Sequence, residues 1–223
     1  MRELELECSP GVATCLVGPN GAGKSTVLAL AAGLLSPTAG QVRLGKRPIE
    51  AGAALASTGY LPQITAYPAA FRVREVIGFT AVARATGQAD LDDVLEVTGL
   101  RAVMARPVKA LSGGWLRRLG LACALLPPAD RLLLDEPFVG LDPGTLDRLV
   151  NHLIARARRG ALVLLASHDF EVMDLLSPQV VALDDGQRLN EPQAAPDGSR
   201  ALYRRLLSRP GGLTATAETI DER

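Results

Sequence analysis

The chain has 223 residues, a length that favours one large domain or one domain with a sizeable insertion. Its 24 basic and 24 acidic residues cancel, which argues against general electrostatic binding to nucleic acid or anionic lipid. With 48% hydrophobic but only 4% aromatic residues, the chain can bury a core, and that core must be aliphatic.

The first elements of the chain are short strand patterns and one helix pattern. Residues 3–7 alternate acidic and apolar side chains, and residues 13–17 are a short apolar run, so both predict strands. Residues 24–34 predict a helix that ends near Gly33. Residues 41–44 predict another strand.

A longer helical stretch comes next. Residues 71–106 have helical patterns with turn signals at Gly87 and Gly99. Ser112 begins a further helix that runs to Leu126, where two prolines end it.

The last part of the chain alternates between strands and helices. Apolar runs at residues 132–134, 162–166 and 180–183 predict buried strands, whereas residues 143–159 and a stretch from Phe170 predict helices. This alternation predicts an α/β fold with a mainly parallel sheet that is covered on both faces.

Three parts of the chain follow from these patterns. Residues 1–63 and 127–207 form the predicted α/β core, and residues 64–126 form a helical subdomain inserted into it. Residues 208–223 contain Pro, Gly, Thr and charge with little apolar content, so they predict a flexible tail.

A glycine-rich loop follows the strand predicted at residues 13–17. It matches the phosphate-loop pattern of a glycine, four residues and Gly-Lys-Ser, and a predicted helix follows, so backbone amides converge on one anionic site. Lys24 can reach the β- and γ-phosphates of a nucleotide, and the Ser25 hydroxyl can bind Mg²⁺. A glycine-rich turn that contains lysine by coincidence is the alternative, and the flanking strand and helix argue against it. The candidate binding residues are Gly18, Pro19, Asn20, Gly21, Ala22, Gly23, Lys24, Ser25 and Thr26.

Two carboxylates, Asp135 and Glu136, follow an aliphatic strand. Parallel sheets place their chemistry at the carboxyl ends of strands. There Asp135 can hold a metal ion or its water, and Glu136 can polarise an attacking water. The alternative is an exposed loop pair, against which the wholly apolar strand argues.

A second candidate anion site is Leu-Ser-Gly-Gly-Trp at residues 111–115, where a helix N-terminus offers free amides. In this order the motifs resemble those of the ATP-binding cassette (ABC) family. Gln63 in Tyr-Leu-Pro-Gln matches the Q-loop of the family, Asp142 in Gly-Leu-Asp its D-loop, and His168 in Ala-Ser-His its switch histidine. The matches extend over residues 3 to about 190.

The resemblance implies a P-loop NTPase core with a mainly parallel sheet, a small N-terminal antiparallel β portion and an inserted α-helical subdomain. In the family, two cassettes face head to tail, and each ATP lies between the phosphate loop of one and the Ser-Gly-Gly signature of the other. The implied partner is therefore a second cassette, in a homodimer or a heterodimer. The residues implied to meet the nucleotide across the dimer are Ser112, Gly113 and Gly114, with Asp142 as a link between the two sites.

The resemblance also implies the residues of the reaction. Glu136 is the implied general base, and His168 is the implied sensor of the γ-phosphate. Gln63, Ser25 and Asp135 are the implied ligands of Mg²⁺ and its water.

Four side chains invite a separate interpretation. The family usually has Gln, Glu or Met where Trp115 stands. This indole could pack on a partner, stack near the nucleotide or fill a local gap, and we expect it to pack. Phe138 is also expected to pack. His152 lies among charged residues, which predicts a solvated helix face. Family members usually stack an upstream aromatic residue on adenine, whereas the first aromatic residue here is Tyr60. We therefore expect ATP and GTP to differ by no more than about tenfold, unless the natural chain begins upstream of Met1.

The residues beside the Q-loop motif indicate what the cassette drives. Residues 67–79 resemble the corresponding region of single-cassette exporters, so we predict the ATPase subunit of an exporter with a separate integral membrane permease. An importer subunit is one alternative. A soluble cassette that acts on a ribosome or DNA is another. Such a partner should leave a basic stripe, and the chain offers only Arg156, Arg158 and Arg159, with Arg204 and Arg205, so no nucleic-acid partner is expected.

The apolar stretches are all shorter than the roughly 18 residues that a bilayer requires. We therefore expect no direct membrane insertion. With no hydrophobic signal region at its start, the chain is predicted to be cytoplasmic and bound to the inner face of the plasma membrane through the permease. Cys8, Cys15 and Cys123 have the spacing of neither a disulfide framework nor a zinc site.

Overall fold

The computed structural model describes residues 4–9, 11–44, 47–49, 58–126, 130–176 and 178–189. The predicted tail at 208–223, the last residues of the predicted core and the basic pair Arg204 and Arg205 lie outside the described residues.

A mainly parallel sheet forms the centre of the described residues. The strands in chain order are β1 (Thr14–Val17), β2 (Arg43–Leu44), β3 (Arg47–Pro48), β4 (Thr58–Leu61), β5 (Arg131–Asp135), β6 (Leu162–Ala166), β7 (Gln179–Asp184) and β8 (Gln187–Arg188). The order in the large sheet is β4-β5-β6-β1-β7-β8, and its neighbours are parallel except for the antiparallel pair β7 and β8. Strands β2 and β3 form a separate antiparallel pair. The predicted α/β fold, with its small antiparallel portion, is confirmed.

Helices cover both faces of this sheet. They are α1 (Lys24–Ala31), α2 (Val73–Ala83), α3 (Gln88–Thr98), α4 (Gly113–Leu125), α5 (Pro143–Arg158) and α6 (Phe170–Leu176), and 3₁₀ turns lie at Leu100–Val103 and Val108–Ala110. The predicted turns at Gly87 and Gly99 separate α2, α3 and the first 3₁₀ turn; Gly99 ends α3 with a φ of 67°. Helix α5 begins where Asp142 accepts a hydrogen bond from the Thr145 N–H at 3.1 Å.

Two apolar clusters lie on opposite faces of the sheet because side chains alternate along each strand. Leu133 of β5 packs with Leu28 of α1 in one cluster. Leu132 and Leu134 belong to the other cluster, which includes Leu153 of α5 and extends into α2, α3 and α4. The alternation of β5 thus joins the sheet to both helical layers.

Strand β4, which was not predicted, brings the inserted helices against the sheet. A Cβ on Gly59 would lie 1.9 Å from the Ala124 carbonyl oxygen of α4, so only glycine allows this approach. In the same contact, a Cβ on Gly120 of α4 would lie 2.7 Å from Leu61 Cδ1. Helix α4 is therefore fixed closely to the strand that leads into Gln63.

Some predicted elements are wrong or shorter. Residues 4–9 form no strand, although Leu4 and Leu6 are half-buried between exposed Glu5 and Glu7, because no strand among the described residues pairs with them. The helix predicted at 24–34 ends at Ala31, and the strand at 41–44 shortens to Arg43–Leu44.

The prediction that His152 lies on a solvated helix face is wrong. Its side chain is 10% exposed, and Nδ1 lies 3.4 Å from Oδ2 of Asp93 on α3. The prediction was based on the charged residues beside His152 in the sequence. In the structure α3 packs against α5, and this contact buries the histidine. The three cysteines are free. Among the described residues, no helix has both the length and the apolar character needed to cross a bilayer.

Candidate functional site

The phosphate loop lies between β1 and α1, at the carboxyl edge of the sheet. A Cβ on Gly18 would lie 2.2 Å from the Leu183 carbonyl oxygen of β7, so a side chain there would push the loop off the sheet. Gly23 occupies the N-cap of α1 with a φ of 98°. Because glycine places no side chain over the first turn, the amides of α1 stay available to an anion.

Lys24 is held inside this loop. Its side chain is buried, and Nζ donates hydrogen bonds to the carbonyl oxygens of Gly18 at 2.6 Å and Pro19 at 2.9 Å. Burial lowers the pKa of Lys24, and the nearby carboxylates of Glu136 and Asp135 oppose that change. The ammonium group is therefore positioned between the loop and the acidic edge of the sheet.

Two carboxylates and a histidine face the loop from the neighbouring strands. Asp135 ends β5 and is 2% exposed, and the Glu136 N–H donates to the Ala166 carbonyl of β6 at 2.9 Å. His168, beyond the end of β6, places Nε2 3.4 Å from Oε1 of Glu136. Burial raises the pKa of Glu136, which makes its carboxylate a stronger base. Burial also lowers the pKa of His168, so its imidazole is predominantly neutral at pH 7.

A single cavity of about 290 Å³ joins these groups. It brings together most of the predicted nucleotide and reaction residues from the phosphate loop and from the ends of β4, β5 and β6. Its lining consists of Asn20, Gly21, Gly23, Lys24, Ser25, Thr26, Gln63, Asp135, Glu136 and His168. The cavity therefore offers amide and ammonium donors on one side and a carboxylate base on the other.

The predicted metal ligands fit Mg²⁺. Oδ2 of Asp135 is buried and has no hydrogen-bond partner among the described residues, so this oxygen is available to coordinate a cation. Ser25 and Gln63 line the same cavity and also carry oxygen donors. Oxygen ligands of this kind, few in number and completed by substrate phosphates and water, are those that Mg²⁺ takes.

The signature residues and Asp142 do not line this cavity. Ser112 and Gly113 are exposed at the start of α4, and the Ser112 side chain makes no capping hydrogen bond to its own helix. Asp142 caps α5, and its Oδ2 accepts a hydrogen bond from Thr145 Oγ1 at 2.9 Å and pairs with the Arg118 guanidinium. In one chain these residues are thus separate from the phosphate loop.

The two aromatic predictions are confirmed. The Trp115 ring packs against the apolar cluster that contains α4, and the Arg118 guanidinium lies 4.5 Å from its centroid. Phe138 is buried.

Sequence reasoning missed one buried charge beside the site. Arg117 of α4 is only 8% exposed, and its guanidinium faces the ends of β4 and β5. The available signal was its spacing, because Arg117 shares a helix face with the buried residues Gly120 and Leu121 at i+3 and i+4.

The family assignment agrees with this geometry. A family model described as "ABC transporter" matches residues 1–139, which is more than half of the chain. The chain belongs to the ABC transporter family. A second model, "AAA domain, putative AbiEii toxin, Type IV TA system", matches residues 105–174 of this cassette.

Curated relatives of the cassette include transporter components with opposite directions in their names. The "Nod factor export ATP-binding protein I" of Paraburkholderia xenovorans (strain LB400) is 36% identical over 194 residues, covering 84% of this chain and 64% of that protein. The "Zinc import ATP-binding protein ZnuC" of Halorhodospira halophila is 36% identical over 190 residues, covering 84% of the chain and 69% of the relative. The cassette therefore spans roughly two thirds of the length of these relatives, and they do not decide the direction of transport.

Solved structures share the fold of the cassette. "Structure of ATP binding subunit of ABC transporter" has a TM-score of 0.80 at 21% identity and covers 91% of this chain and 90% of its own. "Dimeric Structure of MJ0796, a Bacterial ABC Transporter Cassette" has a TM-score of 0.75 at 21% identity and covers 85% and 88%.

Proposed function

We propose that this cassette binds and hydrolyses ATP with Mg²⁺ and powers the export of a substrate by a separate membrane permease. The observation that carries the hydrolysis is the single cavity that joins the phosphate loop, Lys24, Asp135, Glu136 and His168. Membership of the ABC transporter family supports the coupling to transport.

In the proposed reaction the chain supplies positioning and charge. The amides of the loop and Lys24 bind the phosphates, and their positive potential stabilises the charge of the transferring phosphoryl group. Mg²⁺, held by Ser25, Gln63 and Asp135, would supply further neutralisation of the phosphate oxygens.

Glu136 activates the attacking water. Its carboxylate accepts a proton as the water oxygen bonds to the γ-phosphorus, and the bond from that phosphorus to the bridging oxygen breaks to leave ADP. His168 lies 3.4 Å from this carboxylate, close enough to orient it, and it lines the same cavity, where we expect it to meet the γ-phosphate.

A second cassette completes the site in this proposal. Ser112 and Gly113 are exposed and do not line their own cavity, which leaves the open N-terminus of α4 to a nucleotide bound by a partner. The partner is a second copy of the chain or a different cassette. The dimeric cassette structure with the same fold supports this arrangement.

An apolar patch on α2 supports docking to a permease. Phe79 and Val82 are 64% and 82% exposed, and the Phe71 ring packs beside Phe79 with centroids 5.7 Å apart. Exposed aromatic and aliphatic groups of this kind mark contact sites. The similarity to a Nod factor export protein favours export, whereas the similarity to a zinc import protein keeps an importer as the second candidate. In either case the cassette works in the cytoplasm, at the inner face of the membrane.

Affinity purification from detergent-solubilised membranes tests this function. The tagged chain, expressed in its natural host, should retain an integral membrane protein and release phosphate from ATP. Phe79→Glu should lose that membrane protein, because it places a charge in the apolar patch. Leu175→Glu is the matched control, since Leu175 is 58% exposed on α6, and it should retain the membrane protein. Recovery of ribosomal proteins instead, or equal retention by both variants, would contradict the proposed docking.

A further inference from the structure

We infer that Arg117 is a positioning residue that fixes the Glu136 backbone and ties it to the loop that carries Gln63. This inference rests on the proposed ATPase reaction and adds a residue to its machinery. Arg117 does not itself line the cavity, and its described hydrogen bonds go to backbone carbonyl oxygens of lining residues rather than to a carboxylate oxygen. Its hydrogen bonds thus hold the backbone on either side of the cavity.

The guanidinium of Arg117 spans two segments of the chain. Nε and Nη2 donate to the Glu136 carbonyl oxygen at 3.2 and 2.7 Å, and Nη2 also donates to the Asp135 carbonyl. Nη1 donates to the carbonyl oxygens of Pro62 at 2.8 Å and Gln63 at 3.1 Å. All three nitrogens of one planar group are therefore engaged with the two backbones that flank the cavity.

The Glu136 backbone needs such support. Its φ of 49° lies in the left-handed region, which is unfavourable for a residue with a side chain. Strained conformations of this kind persist only where the surroundings hold them. Here the Ala166 carbonyl of β6 accepts from the Glu136 N–H at 2.9 Å, and Arg117 binds the Glu136 carbonyl.

Holding both peptide groups of Glu136 sets the direction of its side chain. Relaxation of φ to a negative value would rotate Cβ and move the carboxylate away from Nε2 of His168, now 3.4 Å distant. A general base that is displaced by about 1 Å loses about a hundredfold in rate while the phosphate contacts remain. The function of Arg117 is thus expected in the chemical step rather than in binding.

The same guanidinium also connects the inserted helices to this base. Arg117 lies in α4, and the carbonyls of Pro62 and Gln63 belong to the chain that leaves β4 towards α2. A movement of α4 relative to β5 must therefore strain or break the hydrogen bonds that hold Glu136. The position of the helical segment therefore affects the orientation of the Glu136 carboxylate.

Lysine is the informative replacement. It keeps the positive charge, but a single ammonium nitrogen cannot reproduce the planar fork that reaches two separate backbones. Arg84 offers the matched control, since its guanidinium also anchors a helix to backbone carbonyls, those of Leu126 and Thr58, both at 2.9 Å. Arg84 does not line the cavity.

The experiment compares Arg117→Lys and Arg84→Lys in the full chain. Both are measured for thermal unfolding, for equilibrium binding of ATP and for steady-state phosphate release, with rates expressed per nucleotide-binding molecule so that unfolded protein does not count. Arg117→Lys should lower kcat by about 10- to 100-fold and leave ATP affinity unchanged. Arg84→Lys should keep the parental kcat, whatever its effect on Tm.

A double variant separates positioning from general weakening. If Arg117 acts through Glu136, adding Arg117→Lys to Glu136→Gln should cause no further loss of kcat. Three results would overturn the inference: a parental kcat in Arg117→Lys, a parallel loss in both lysine variants, or an additive loss in the double variant. Absence of hydrolysis by the parental chain with its permease would instead overturn the proposed function, and this inference with it.

Discussion

The contact between β4 and α4 gives a quantitative prediction for Gly59→Ala. The new Cβ would lie 1.9 Å from the Ala124 carbonyl oxygen and 2.9 Å from Leu132 Cδ2. The first of these atoms is backbone in the last turn of α4, so it cannot turn aside as a side chain does. The strand and the helix must separate instead.

The expected cost is at the upper end of overpacking effects, about 3 kcal/mol. For a chain of this size, 1 kcal/mol corresponds to roughly 2 to 4 °C, so Gly59→Ala should lower Tm by about 6 to 12 °C. Gly78→Ala is the control, because Gly78 lies inside α2 with nothing within 4 Å of the new Cβ. It should raise stability by about 1 kcal/mol through helix propensity.

Thermal unfolding followed by circular dichroism, at fixed protein and nucleotide concentrations, measures both variants. A Tm for Gly59→Ala within about 2 °C of the parent would refute the close contact of β4 with α4. A large loss in Gly78→Ala would show that glycine replacement itself, rather than this contact, is harmful.

Three further predictions concern the site and α5. Glu136→Gln should bind ATP normally and trap a closed cassette dimer, with hydrolysis reduced by about 10²- to 10⁴-fold; hydrolysis at the parental rate would mean that Glu136 is not the base. Steady-state rates with ATP and GTP should differ by no more than about tenfold, since Tyr60 packs into an apolar cluster and does not line the cavity, and a strong preference for ATP would contradict this. Burial lowers the pKa of His152 in the folded chain. Below about pH 6.5 the unfolded chain therefore binds more protons at this residue than the folded chain does, and the free energy of unfolding decreases as the pH is lowered. His152→Gln should therefore lose less stability than the parent in urea unfolding between about pH 7 and pH 5, and an equal loss would show that another group accounts for the pH dependence.

The sequence was most informative where chemistry constrains residue type and spacing together. The phosphate loop needs glycines, a lysine and a hydroxyl in order, and β5 needs an apolar run before its acids. Parallel strands with a common carboxyl edge then bring Lys24, Asp135 and His168 into one cavity. The roles of these residues in the reaction stay predictions.

Local pattern failed where long-range packing decided the outcome. Residues 4–9 alternate in burial as a strand would, but a strand also needs a hydrogen-bonded partner. Strand β4 was missed because Gly59 weakens its pattern, and the reason for that glycine is a helix far along the chain. Arg117 and His152 were misjudged or overlooked because their neighbours in space come from other elements.

The start of α4 and the turn before α5 are joined more tightly than sequence distance suggests. A Cβ on Gly114 would lie 2.8 Å from the Gly140 carbonyl oxygen, and Arg118 pairs with Asp142 just beyond it. The Ser-Gly-Gly segment and Asp142 are therefore expected to move together. Any partner that rotates α4 swings both groups at once, so contacts across a dimer would engage and release together rather than one after the other.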